Sequence, residues 1–253
     1  MSGHTGKIKY VPGTYAKKRP STVQLAQRYI SEWERRRIKI ETQDDKQPMI
    51  TPTICFSRKI GVGALEIADI LAEKIGYRVV DHEIIEHTAK EGKLREKTVA
   101  IFDERYPGIR NEFISLLFKE KSLIMNDYAK HLVSVVLSIA GLGSTIFVGR
   151  GTHLILPRDR VLAVRFVCSK EFRVKRLDGI LNVNQKEAEN TLDHIDKEQR
   201  AFYKKVFGKK DASPYEFDLV INRDHIMKAE WAANIVEQAF KEKFYEEIDF
   251  SEM

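Results

Sequence analysis

The sequence predicts an α/β protein: a five-stranded parallel sheet with helices on both faces. Three observations carry that expectation. Short runs rich in Ile, Val and Phe alternate with longer segments of helical period, the order that parallel strands joined by crossover helices require. The runs are nearly continuous in apolar residues, as strands covered on both faces are. The chain has 253 residues, 43% apolar and 32% charged, enough for one large core with an appendage.

Residues 1–50 read as a basic N-terminal extension and 51–253 as the main domain. In the extension, Ser21 and Gln24 have capping-box spacing. Leu25, Tyr29 and Trp33 then recur every four residues, marking one face of a helix to about position 37. That face docks either on the body or on a partner chain, which admits a homo-oligomer through this helix. Residues 41–47 are a polar linker, and Pro48 and Pro52 punctuate the entry to the domain. The first strand is 53–57 (TICFS), followed by a helix over Ala64–Ile75 that Gly76 stops. Next come strand 78–80, helix 82–91 and a long helical region over 112–139. Thr145–Val148 (TIFV) and 163–168 (AVRFVC) are strands, and 170–180 and Gln185–Phe207 are helices. The fifth strand is 218–222 (DLVIN), and a helix over 225–246 closes the chain. Ligands bind such sheets at the carboxyl ends of the strands. That directs attention to Ser57 onward, Asp81, Gly149 onward and Ser169 onward.

Charge is uneven. Ten basic residues in 1–40 face only Glu32 and Glu34, so that stretch carries +8 of a total of +6, and the remaining 213 residues sum to −2. Nucleic acid ranks last among partners, because aromatic residues in the arm are few (Tyr10, Tyr15, Tyr29, Trp33). No membrane contact is expected, since the longest nearly apolar run, 132–143, falls short of the ~20 residues a spanning helix takes. A polar start without a leader and only two cysteines lead to the expectation of a cytoplasmic protein. His82 and His87 are five apart, about 140° off one helix face, so no metal site is expected there.

The segment 57–66 follows a strand and opens a helix. Glycines at 61 and 63 let backbone N–H groups approach an anion, and the helix N-terminus adds positive potential. A full P-loop pattern is absent. With Gly63 as its last glycine, Ala64 stands at the Lys position and Leu65 at the Ser/Thr position.

Together with four further segments, the chain resembles the cytidylate kinase-like family of P-loop phosphotransferases. The matching stretches are 54–80 with Asp81, 147–151 (FVGRG), 172–176 (FRVKR), 196–203 (DKEQRAFY) and 215–222 (YEFDLVIN), in the family's order. The resemblance implies a P-loop NTPase-type five-stranded sheet, a helical acceptor-binding insert at about 82–140 and a lid at about 182–212. It implies ATP and Mg²⁺ as cofactors, and nucleotide and a small phosphoryl acceptor as partners. The γ-phosphate would pass to a nucleoside monophosphate or a similar acceptor. It puts Ser57, Arg58, Lys59, Ile60, Gly61, Val62, Gly63, Ala64 and Leu65 at the ATP phosphates, and Asp81 and Arg150 at the acceptor. Arg173, Arg176 and Arg200 become the catalytic candidates. The first two fall three apart on one helix face, and Arg forks grip phosphate bidentately. The family typically reads S-R-E-Y-G-S-G-G-R at the loop. Here Ala64 replaces its last Gly and Leu65 its Arg, which removes the nearest cation. Lys59 is one candidate substitute. The alternative is a nucleotide-binding regulatory or scaffold protein with impaired catalysis.

Overall fold

The computed structural model describes residues 20–40, 50–105, 115 and 126–248; the side chains of 32–40, 101, 102, 104 and 105 lie outside that description. The expected linker 41–47, most of 112–125 and the side chain of Trp33 therefore fall outside the described residues.

Five strands form one all-parallel sheet: β1 Thr53–Arg58, β2 Arg78–Asp81, β3 Thr145–Val148, β4 Val161–Val167 and β5 Leu219–Asn222. Their order is β2-β3-β1-β4-β5, so β1 is central and the chain reverses direction across the sheet on either side of it. The crevice beyond the carboxyl end of β1 is therefore the ligand position this topology favours.

Alternation along β1 separates two cores, because successive strand side chains point to opposite faces. Ile54 and Phe56 join one cluster with α2 (Ala64–Ile75) and the C-terminal helix (Ala229–Lys243). Cys55 and Phe147 join the other, with α1 (Thr22–Ile40), α3 (His82–Lys90) and the helix Asp127–Gly141. In chain order the helices between are α4 (Gly92–Arg105), α5 (Asp127–Gly141), α6 (Thr152–Ile155), α7 (Lys170–Leu181), α8 (Gln185–Phe207) and α9 (Ala229–Lys243). A third, small cluster joins Ile60 of the loop after β1 to Leu177 of α7 and to Ala188 and Leu192 of α8.

Most elements lie where the apolar period places them, and the differences have physical reasons. Helix α4 is too charged to show a clear apolar stripe and escapes a periodicity reading. The last helix begins at Ala229 rather than 225, because Asn222 O accepts from the amides of His225 and Ile226 and closes a turn first. Trp231 and Ile235 face outward, while Ala232, Ala233, Val236 and Phe240 form the buried face. Cys55 is buried, but Cys168 is only half-buried beyond the end of β4. The Ser21–Gln24 capping box is present in both directions. The Leu25–Tyr29 face packs on the body of its own chain, with Leu25, Ala26, Tyr29 and Ile30 buried.

Candidate functional site

The loop 59–63 links β1 to α2, and its shape is held from outside. Gly61 and Gly63 adopt φ of 88° and 83°, the left-handed region that glycine enters without steric cost. Gln199 Nε2 of α8 donates to Arg58 O at 2.8 Å, Arg173 Nη1 of α7 to Ile60 O at 3.4 Å, and Arg223 Nε to Val62 O at 3.3 Å. Alternate carbonyls of the loop are thus pulled outward by donors from three separate elements. Gly63 caps α2 without a side chain, so the first amides of that helix keep the open donors of any helix N-terminus. The arrangement suits an anion.

Helix α7 lies directly on this loop. Arg173 and Arg176 do share one face, as their spacing predicts. A Cβ on Gly61 would meet the Arg173 Cβ at 3.0 Å, and one on Gly63 would meet the Arg176 guanidinium at 3.1–3.2 Å. Arg173 is 5% exposed and paired with Asp196 Oδ1 at 2.9 Å. Arg176 Nη2 meets Glu66 Oε2 at 2.5 Å, from the first turn of α2. A cation therefore stands over the loop although position 64 carries none. Arg200 is exposed and lines the cleft with Lys59.

Two open clefts flank the end of β1. One, of about 510 Å³, runs along Arg58–Glu66 and reaches Asp81, His82, Arg176, Leu177 and Ile180. The other, of about 540 Å³, is lined by Ser57, Gly149, Asp196, Gln199, Tyr203 and Asp211 together with Arg58, Lys59, Arg150, Arg165, Arg200 and Lys210. Six basic side chains against two acidic ones give this second cleft a net positive lining.

Between the clefts sits a compact polar group. Asp81 caps α3, its Oδ1 accepting from the amides of Glu83 and Ile84 at 3.0 Å each. It also lines the loop-side cleft. His82 Nδ1 lies 3.1 Å from Arg58 Nη2 and accepts from it, since a guanidinium only donates. Burial, then the charges of Arg58 and Arg150, push the His82 pKa well below its ordinary value. Arg150 is held at φ 57°, uncommon outside glycine, with its guanidinium 4.3 Å over the Phe202 ring and paired with Glu86.

Sequence reasoning missed Glu66, Gln199, His82 and Arg223. Arg223, 1% exposed, also donates to the carbonyls of Ile226 and Lys228. It follows β5, and the strand-end logic applied to the other four strands would have reached it.

Asp69 of α2 gives the site a pH signature. Burial, then the charges of Asp81 and Glu73, raise its pKa to about 7. A carboxyl raised in the folded state favours the native protein while protonated and disfavours it as pH rises through 7. Asp69→Asn should therefore raise the midpoint of urea unfolding at pH 8, with a smaller gain at pH 5. Equal gains at both pH values would contradict the raised pKa.

The family model of the cytidylate kinase-like family matches residues 53–225. No curated protein matches the sequence. An uncharacterized protein from Eubacterium ventriosum ATCC 27560 shares the fold at TM-score 0.58 and 17% identity, over 77% of this chain and 99% of that one. A shikimate kinase from Bacteroides thetaiotaomicron aligns at TM-score 0.40 and 11% identity, over 75% of this chain and 96% of that one. The match spans the sheet, the loop, both clefts and the α7–α8 pair: the chain belongs to the cytidylate kinase-like family and has a P-loop kinase-like α/β fold.

Proposed function

We propose that the protein moves the γ-phosphoryl of ATP, with Mg²⁺, onto a nucleoside monophosphate or a similar small acceptor. The observation that carries this reading is the Arg176 guanidinium against Gly63, a cation delivered from α7 to a loop without a lysine at position 64. In this reading the amides at Gly61–Ala64 receive the triphosphate, and Arg176 leaves Glu66 for phosphate oxygen. Lys59 and Arg200 add charge from the second cleft, and Arg58 and Arg150 face the acceptor's phosphate. Such charge, preplaced where the transition state is most anionic, is the main catalytic device of phosphoryl transfer. In this reading Arg173, buried on Asp196, positions the loop and does not grip phosphate.

Mg²⁺ when bound neutralises the phosphate oxygens. It is usually held by one or two carboxylates plus substrate phosphates, and Glu66, lining the loop-side cleft, fits that need. Among the described residues no group of three or more His, Cys, Asp or Glu could hold a metal by itself. Among the same residues no helix is long and apolar enough to cross a membrane. Both cysteines are free thiols, which supports placing the protein in the reducing cytoplasm.

A phosphoryl-transfer assay with ATP-Mg over the nucleoside monophosphates should give turnover of about 1–100 s⁻¹ with at least one of them. No turnover with any acceptor would sink the reading.

A second reading, a nucleotide-binding regulator, is favoured by Ala64 and Leu65 and by the carboxylates already engaging Arg150, Arg173 and Arg176. Ala64→Lys combined with Leu65→Ser discriminates. A large gain of turnover in an otherwise inert protein favours the regulator, and high activity of the unaltered chain rejects it.

A further inference from the structure

We infer that α1 is a positioning element for the acceptor side of the site and acts through the junction of β2 and α3. It lies outside residues 53–225, so the frame shared with the family does not supply it.

β2 is an outer strand of the sheet, with β3 on one side only. Arg78 donates its amide to Ser144 O, on the β3 side. Backbone groups alternate along a strand, so Val79 turns to the free edge. There the buried Tyr29 hydroxyl donates to Val79 O at 3.1 Å. Exposed edges are a hazard that proteins cover, and α1 is the cover here. A second tie lies two helical turns away on the same face of α1. Thr22 Oγ1 donates to Glu83 Oε2 at 3.1 Å, in the first turn of α3. On the same side of α1, Leu25, Ala26 and Ile30 pack into the same core as Val80, Ile84 and Ile85.

The two anchor points bracket the functional pair. Val79 stands two residues before Asp81, and Glu83 two after it. The Glu83 amide is itself one of the two that Asp81 caps. Slack at this elbow shifts Asp81 and moves His82 away from Arg58, its 3.1 Å partner. Helix α1 makes none of the contacts described for the phosphate loop, so the effect falls on the acceptor and leaves the triphosphate alone. Tyr29 and Thr22 are thus positioning residues and not catalytic ones.

The test compares the full chain with a Tyr29→Phe, Thr22→Val double variant. Amide hydrogen exchange at Glu83 and Ile84 should accelerate about tenfold or more, with the amides of α2 and β4 unchanged, since each lost tie is worth roughly fivefold. A Tyr29→Phe, Thr22→Ser variant, which keeps a hydroxyl at position 22, should recover part of the protection. The kinetic arm rests on the phosphotransfer reading. With cytidine 5′-monophosphate as the acceptor probe, its KM should rise about fivefold or more while the KM for ATP stays within about twofold. Unchanged exchange at Glu83 and Ile84 would overturn the inference. Uniform acceleration across the sheet would overturn it too, because it would mark a loss of global stability only. An active variant with altered exchange but unaltered acceptor KM would also overturn it. If the chain phosphorylates no monophosphate at all, the phosphotransfer reading fails by itself, and hydrogen exchange still decides the brace.

Discussion

Asp196→Ala should lower the stability of the protein by about 3–5 kcal/mol, the effect of leaving one charge of a buried pair uncompensated. The side chains of Arg173 and Asp196 are 6% and 9% exposed, so water cannot replace the lost carboxylate without local opening. Arg173 has little else to turn to: Nη1 already leans on Ile60 O at 3.4 Å, and Nε is buried with no hydrogen-bond partner among the described residues. The damage should reach function as well. Arg173 holds a loop carbonyl, and Ile60 is packed under α7 and α8, so a slackened pair loosens the loop. Asp196→Asn keeps an acceptor oxygen but not the charge, and should cost about half as much. Urea denaturation of the two variants measures both effects. A loss under about 1 kcal/mol for Asp196→Ala would show that Arg173 reaches solvent and that the pair does not organise the loop.

Gly61→Ala and Gly63→Ala should separate into two phenotypes although both change a left-handed glycine of the same loop. At Gly61 the new Cβ meets the Arg173 Cβ at 3.0 Å and the Arg173 carbonyl at 3.3 Å, atoms of a packed helix that cannot yield. Strain and overpacking together should cost about 2–4 kcal/mol, with loss of ATP binding. At Gly63 the nearest atoms belong to the flexible end of Arg176, which can swing aside. Stability should then fall by only about 1–2 kcal/mol, from the backbone conformation. ATP affinity should still drop about tenfold or more, because the displaced guanidinium no longer stands over the loop. Thermal unfolding together with calorimetric ATP titration distinguishes them. Equal stability losses, or unchanged ATP binding in Gly63→Ala, would contradict this description of the loop.

The sheet was legible because buried parallel strands write themselves as short apolar runs. Thr145–Val148, Ala64–Ile75 and Gln185–Phe207 have the bounds their patterns predict. Capping chemistry was equally plain. Ser21 and Gln24 exchange their capping bonds, and Gly76 ends α2 at φ 65°. Partner choice was not legible. Arg173 and Arg176 could be put on one face, but Asp196 lies 23 residues further along the chain from Arg173, and Glu66 is 110 residues away from Arg176. Such pairings come from the fold and leave no local spacing behind. The loop posed the same difficulty. The absent lysine at position 64 was obvious, whereas a guanidinium arriving from another helix has no signature in the loop's own letters. Helix α4 stayed hidden because its charge obscures its period. The role of Tyr29 depended on which strand lies at the sheet edge, and that follows from the order of all five.

The central proposition is that the amides around Gly61 and Gly63, completed by Arg176, receive a polyphosphate. An ¹⁵N-resolved titration of the protein with ATP-Mg addresses it directly. The account predicts that the amide resonances of Gly61, Gly63 and Ala64 and the Arg176 side-chain Nε–H move together and saturate at one affinity. Resonances at those four positions that stay still in excess ATP, or that move only at millimolar concentrations without saturating, would contradict it.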